Sequence, residues 1–326
     1  MPQGNILPEG SLLGTPEMTY LTGAAEGIER AWRTGAVLEG TAVRCDAAHD
    51  LFIRMGKYTV RIPREEAAVG ISEGTVRDIA ILARVGKPVC FRLEDVSALH
   101  LPGGVLTGSR KAVQTQAMDA LLENLLPGEI IRARVTHLEP FGCFVDIGQG
   151  CVSMIGADRI SVSRIRHSNE RFQNGQEIRA LVTEIDKPGR RILLSHKELL
   201  GTWEENAKLF KAGETVRGIV RGIEEYGVFI ELTPNLSGLA EPVPGLREGE
   251  CVSVYIKSIR PDKMKIKLLI IDRVGEEAPF IPLRYFRSEG RMQSFCYSPP
   301  GYGRNDEKTV FSGAGCAACR ENGTML

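Results

Sequence analysis

From Leu126 onward apolar and polar residues alternate with a period of two, as half-buried strands require. In the run Cys143-Phe144-Val145-Asp146-Ile147, the residues Cys143, Val145 and Ile147 share one face. Phe144 and Asp146 share the other, so the solvent side carries a large aromatic. The same text returns downstream. Gly128, Arg132, Phe141 and Phe144 match Gly213, Arg217, Tyr226 and Phe229, each 85 positions on. A repeat that keeps an outward aromatic pair as well as its apolar alternation points to a use for the pair beyond packing. Residues 36–98 read as a worn third copy, with Leu51–Gly56 aligned to Cys143–Gly148. There His49 stands at the first ring position and Phe52 at the second. This copy is expected to serve structure or protein contact more than ligand binding.

Between the copies the period changes to that of helices. Thr15-Pro16-Glu17 is a helix start, and Leu21, Ala24, Ala25, Ile28 and Trp32 form one stripe up to Gly35. A second helical pattern runs from Ser109 to Leu126, and a third from Glu198 to Phe210, there spacing the copies roughly 20 Å apart at about 1.5 Å per residue. The expected organisation is a helix in 1–35, a barrel in 36–98, a helical linker in 99–125 and a barrel in 126–198. A linker in 199–212, a third barrel in 213–272 and a mostly disordered tail in 273–326 follow. Within that tail, residues 279–286 are apolar enough to dock as a short ordered piece. The fold class is mainly β: tandem five-stranded Greek-key barrels joined by α-helical linkers.

Lys plus Arg and Asp plus Glu number 41 each in the 326 residues, so coating nucleic acid by bulk charge is excluded. Segment 126–200 carries a small excess of +2. No run of 18 apolar residues occurs, so no membrane partner is expected. The eight cysteines are scattered, apart from Cys316 and Cys319, which suits a reducing cytoplasm. That late pair lacks the further ligands of a closed zinc site, so no metal is expected. Neither a phosphate loop, a His-Glu-x-x-His helix nor a nucleophile elbow occurs, so no catalytic residue and no cofactor are assigned. His137 lies near the ring turn and is a candidate contact, while His49, His100, His167 and His196 read as surface or packing residues.

Several motifs occur in a fixed order: Gly128-Glu129 with Ala133 and Val135, then Phe141-Gly142-Cys143-Phe144-Val145-Asp146-Ile147-Gly148, then Gly175–Ala180. Glu184-Ile185-Asp186 and Arg191–Lys197 complete the set. Together they resemble the RNA-binding repeat of bacterial small-subunit ribosomal protein S1, an OB-fold module also found in polynucleotide phosphorylase and ribonuclease E. The resemblance covers 126–198 strongly, 213–271 well and 36–111 in part. It implies single-stranded RNA across one barrel face, lined by Phe141 and Phe144 in one copy and by Tyr226 and Phe229 in the next. The family's Asp and Arg positions fall on Asp186 and on Arg191 or Arg190; in the third copy they fall on Arg260 with Lys263 or Lys265. Its histidine position falls on Gly156 and about Glu241, a departure at that corner.

Stacking rings and phosphate-tracking cations are what an unpaired strand needs. The strand positions Arg132, Arg134 and Thr136, and downstream Arg217, Ile219 and Arg221, are the expected cationic faces. The resemblance thus implies a non-enzymatic, cytoplasmic, monomeric protein that binds messenger RNA at the small (30S) ribosomal subunit and promotes or regulates translation. The alternative is an adaptor that docks on the ribosome or the RNA-degradation machinery, with RNA contact secondary.

Overall fold

The computed structural model describes residues 6–275, 283–299 and 309–311. Two compact units are present: Met1–Asn124 with Arg132–Arg134 and Asp146–Val152, and Leu125–Ile131 with Val135–Val145 and Ser153–Leu326. The helix expected in 1–35 is two helices, Pro16–Gly23 and Ala25–Thr34. Thr15 caps the first, its Oγ1 accepting from the Met18 N–H, and Pro16 opens it. The chain breaks at Ala24, which is extended (φ −141°, ψ 161°). The single stripe therefore splits: Leu21 and Ile28 are buried, whereas Trp32 is exposed.

The first barrel consists of β1 (Leu38–Cys45), β2 (Leu51–Met55), β3 (Tyr58–Ile62), β4 (Pro88–Asp95) and β5 (Val105–Ser109), closed in the order β1-β2-β3-β5-β4. Its last strand lies outside the expected 36–98 boundary. Val105–Ser109 carries two glycine-flanked, weakly alternating positions, but its parallel pairing with β3 completes the barrel. The helix Lys111–Asn124 follows.

The second barrel comprises β6 (Ile130–Glu139), β7 (Gly142–Asp146), β8 (Val152–Gly156), β9 (Glu177–Asp186) and β10 (Arg191–Ser195), in the order β10-β9-β6-β7-β8. The third repeats it with β11 (Thr215–Glu224), β12 (Gly227–Thr233), β13 (Leu236–Ala240), β14 (Cys251–Arg260) and β15 (Lys265–Gly275), closed in the order β11-β12-β13-β15-β14. This is the five-stranded OB-fold arrangement, three times over. The inward residues are the apolar half of each alternation, such as Val228, Ile230, Val252, Val254 and Ile256 in the third barrel.

The linker after the second barrel is not a spacer rod. Its helix is only Trp203–Ala207, and Trp203 and Ala207 are buried in the third barrel's core. An aromatic at that position gains more by covering the barrel end than by standing in solvent.

The tail corrects another expectation. Tyr285 and Phe286 do dock, and residues 283–299 follow the surface of the second and third barrels: the Met292 N–H donates to the Gly128 carbonyl, and the Tyr297 hydroxyl donates to the Asn235 carbonyl. Phe311 is buried with Leu181 and Leu199. Apolar residues spaced through a Pro- and Gly-rich stretch are invisible to periodicity, yet Tyr285, Phe286 and Phe311 each find a socket. Cys316 and Cys319 lie outside the described residues, as do residues 279–282 of the expected docking piece.

His196 is a packing residue. Its Nδ1 lies 2.8 Å from the Ile160 carbonyl, which can only accept, so Nδ1 carries the proton. Nε2 then accepts from the Tyr285 hydroxyl at 3.1 Å. Burial pushes the ring's pKa down to about 4. An unfolded histidine takes up its proton near pH 6.5, so the unfolded chain binds more protons between these values. Stability contributed by neutral His196 is therefore full above pH 6.5 and is lost as pH falls toward 4, by on the order of 3 kcal/mol. Urea titrations at pH 7 and pH 4.5 should show a loss that shrinks in His196→Gln; an equal loss in both proteins would refute the assignment.

Candidate nucleic-acid interface

A turn at Pro140-Phe141 joins β6 to β7 and sets the first ring pair. Gly142 sits at φ +153°, and a Cβ there would meet the Ile155 carbonyl oxygen at 2.3 Å. Glycine thus lets the start of β7 lie directly on β8, and the flanking Phe141 turns outward. Phe141 is 58% exposed and meets Phe144 edge to face, with centroids 6.2 Å apart at 87°. In the third barrel Gly227 plays the same part, 2.7 Å from the Ala240 carbonyl oxygen by the same construction. Tyr226, 68% exposed, meets Phe229 at 6.1 Å and 90°. Two separate stretches of sequence thus build one arrangement: a ring edge against a ring face, with open surface on the free sides.

His137 joins the first pair. Its ring lies 6.4 Å from that of Phe144 at 29°, near parallel, and its Nε2 is 2.8 Å from Glu139 Oε1. The third barrel has Gly222 at this position and no third ring.

Beside the last turn of each barrel, Asp186 and Arg191 are direct cross-strand partners on β9 and β10, as are Arg260 and Lys265 on β14 and β15. Asp186 is partly committed to its turn, since Oδ1 accepts from the Gly189 N–H at 3.0 Å. Arg190 holds a left-handed backbone (φ +50°), which accommodates the extra residue of that turn. Arg190, Arg191, Arg260, Lys263, Lys265 and Arg217 are all exposed, as is Arg132 on β6.

Two expected cations do not belong to an open face. Arg221 is 9% exposed, with Nε donating to Glu231 Oε2 at 2.7 Å and Nη1 to Glu170. Arg171, from the excursion between β8 and β9, donates to the same Glu231 oxygen at 2.5 Å. Glu231 is fully buried, and Ile219, opposite it on β11, is buried too. The excursion covers this patch, so the outward side of β11 at Ile219 and Arg221 is an interior. Arg134 is likewise half-buried, its guanidinium beside Gly10 of the N-terminal segment. Alternation tells which side of a strand a residue takes, not what later settles on that side.

The first barrel closes its ring position. Phe52 is buried beneath the Arg44 guanidinium, 3.7 Å above its centroid, and His49 pairs with Asp78 at 3.0 Å. At the departed histidine corner, Glu241 pairs with Lys257 at 3.2 Å. Met154 on β8 and Leu239 on β13 are exposed apolar residues near the ring pairs. Their outward place in the alternation and their 85-residue offset were the available signal.

Five-stranded β units with a ring pair at the first hairpin and exposed cations at the last define the class as OB-fold modules. Residues 126–197 match the family described as S1 RNA binding domain. Among curated relatives, the chain is 29% identical over 178 residues to the small ribosomal subunit protein bS1 homolog of Bacillus subtilis, covering 51% of this chain and 46% of that one. It is 32% identical over 178 residues to small ribosomal subunit protein bS1 of Staphylococcus aureus strain N315, covering 50% and 45%. The chain thus spans about half the length of the curated relatives it matches. A solved multidomain protein with nucleic acid binding domains from Streptococcus pneumoniae aligns over 73% of this chain and 74% of its own, at 15% identity and a TM-score of 0.25. Among the described residues no helix is long and apolar enough to cross a membrane.

Proposed function

We propose that this chain binds single-stranded RNA through the ring pairs of its second and third barrels, and that it does so on messenger RNA at the small ribosomal subunit, promoting or regulating translation without catalysing a reaction. The observation that carries this reading is the duplicated edge-to-face pair at equivalent turns, Phe141 with Phe144 and Tyr226 with Phe229, in which Phe141, Tyr226 and Phe229 are exposed and Phe144 is half-buried. Exposed rings cost solvation unless something flat covers them, and unpaired bases do so. The exposed cations Arg191, Arg260, Lys263 and Lys265 would take phosphates of the same strand. The relatives named as ribosomal proteins support the ribosomal setting.

The adaptor reading is favoured for the first barrel alone. Its ring position is closed by Arg44 over Phe52 and by the His49–Asp78 pair, so it offers no stacking surface there.

The test is a fluorescence-anisotropy titration of the whole chain with an unstructured RNA and with a hairpin of equal length. Preference for the unstructured RNA is expected, with a log–log salt slope of about −4 from roughly six phosphate contacts. Equal affinity for the hairpin would sink the single-strand reading. Cosedimentation with small subunits, lost on adding competitor RNA, tests the ribosomal part.

A further inference from the structure

Beyond the ring pairs, each barrel continues the same face across its next strands, and this continuation differs between the two. In the third barrel Phe229 on β12 stands directly opposite Leu239 on β13, and Leu239 stands opposite Lys267 on β15. Directly paired residues project to the same side of a sheet, so these three form one row. At about 4.8 Å per strand, it extends roughly 10 Å from the ring.

The second barrel repeats the row. Met154 lies 85 positions before Leu239. Arg191 opposite Asp186 corresponds to Lys265 opposite Arg260, which equates Leu193 with Lys267, each two residues further on. The Ser153 hydroxyl donates to the Ile192 carbonyl at 2.6 Å, setting β8 beside β10. Met154 is 42% exposed and Leu193 44%, although neither belongs to a turn or a chain end. Exposed large apolar residues at consecutive places of one row form a contiguous patch, and such patches mark binding surfaces.

We infer that Met154 with Leu193, and Leu239 with Lys267, form a shelf that takes the next nucleotide beyond each ring pair. The shelf is wholly apolar in the second barrel, so that it meets a base there, and it ends in an ammonium in the third, so that it also meets a phosphate. A thioether and a branched aliphatic chain can lie against a base face without reading its edge, so the shelf adds affinity with little sequence preference. Lys267 then makes the third barrel the more salt-sensitive of the two. This inference rests on the single-strand reading and extends it to residues outside the ring pairs.

The experiment compares the whole chain with three new variants and with the variant carrying alanine at the four rings, using fluorescein-labelled oligouridine over a range of salt. All the replaced side chains are exposed, so the variants should keep the fold, as circular dichroism will report. Met154→Ala with Leu193→Ala and Leu239→Ala should weaken binding about tenfold, the low end of what base contacts contribute, with the salt slope unchanged. Lys267→Ala should flatten the slope by about 0.7, one phosphate's worth. Val162→Ala, an exposed apolar residue off the row, should change nothing. If the shelf variants bind within twofold of the parent while alanines at the rings abolish binding, the shelf is wrong and the single-strand reading stands. If the ring variant also keeps full affinity, both fall together.

Discussion

Alanine at Phe141, Phe144, Tyr226 and Phe229 together is expected to lower affinity for an unstructured RNA by about a thousandfold or more. Base stacking on a ring contributes roughly 1–3 kcal/mol, so four rings supply on the order of 4–12 kcal/mol before ordering costs. Each 1.4 kcal/mol is about tenfold in affinity. The fold should tolerate the change, because Phe141 and Tyr226 are mostly in solvent and the strands are held by their own ladders and cores. Each pair loses one edge-to-face contact, about 0.5–1.5 kcal/mol. Anisotropy titrations at fixed salt, with thermal melts as the folding control, separate the two effects. A variant that melts near the parent's temperature and binds as well as the parent would remove the rings from the interface. With zero net charge on the chain, the remaining cations are not expected to hold RNA unaided.

Glu231→Ala carries the largest expected effect on stability, a loss of about 3–5 kcal/mol. Glu231 is fully buried, and its carboxylate is the shared acceptor of Arg171 and Arg221, themselves 4% and 9% exposed. Removing it leaves two guanidiniums crowded in a desolvated site, with Glu170 remaining beside Arg221. Burial already disfavours the charged form of Arg171, and the neighbouring Arg221 adds to this. For a unit of this size the loss corresponds to a drop in melting temperature of roughly 10 °C. Replacing Arg171→Met, Glu231→Leu and Arg221→Met together should cost far less, because the one charge then left without its counter-charge is Glu170, which is partly exposed and keeps its hydrogen bonds from the Arg166 and His167 N–H groups. Calorimetry on both variants decides it, and a change of under 2 °C for Glu231→Ala would show the cluster to be solvated after all. The same cluster joins the excursion of the second barrel to the strands of the third. Both variants are therefore also expected to loosen the hold of one ring pair on the other.

The site divides along the same line as these two predictions. Phe141, Phe144, Tyr226 and Phe229 were legible because a strand's period of two is local, and a ring on the polar side of it is anomalous wherever the chain goes. The Asp186–Arg191 and Arg260–Lys265 positions were legible because a hairpin pairs residues close in sequence. Arg221 misled because its strand position is outward, as expected, yet its carboxylate partners are 10 and 51 residues away. Tyr285 and Phe311 were hidden for the opposite reason: their surroundings in sequence have no period, and their sockets at His196 and Leu181 belong to another element.

The sequence by itself determined three β-barrels, their mainly β class, the duplicated aromatic turn and the worn first copy. Each of these follows from contacts between neighbouring positions, which hydrophobic alternation and turn residues encode directly. Only the tertiary structure decided which outward faces stay open. Burial of Arg221 and Ile219, closure of Phe52 under Arg44, docking of the tail and the row from Phe229 to Lys267 depend on segments far apart in the chain. What covers a surface is set by long-range packing, and no local pattern carries that information.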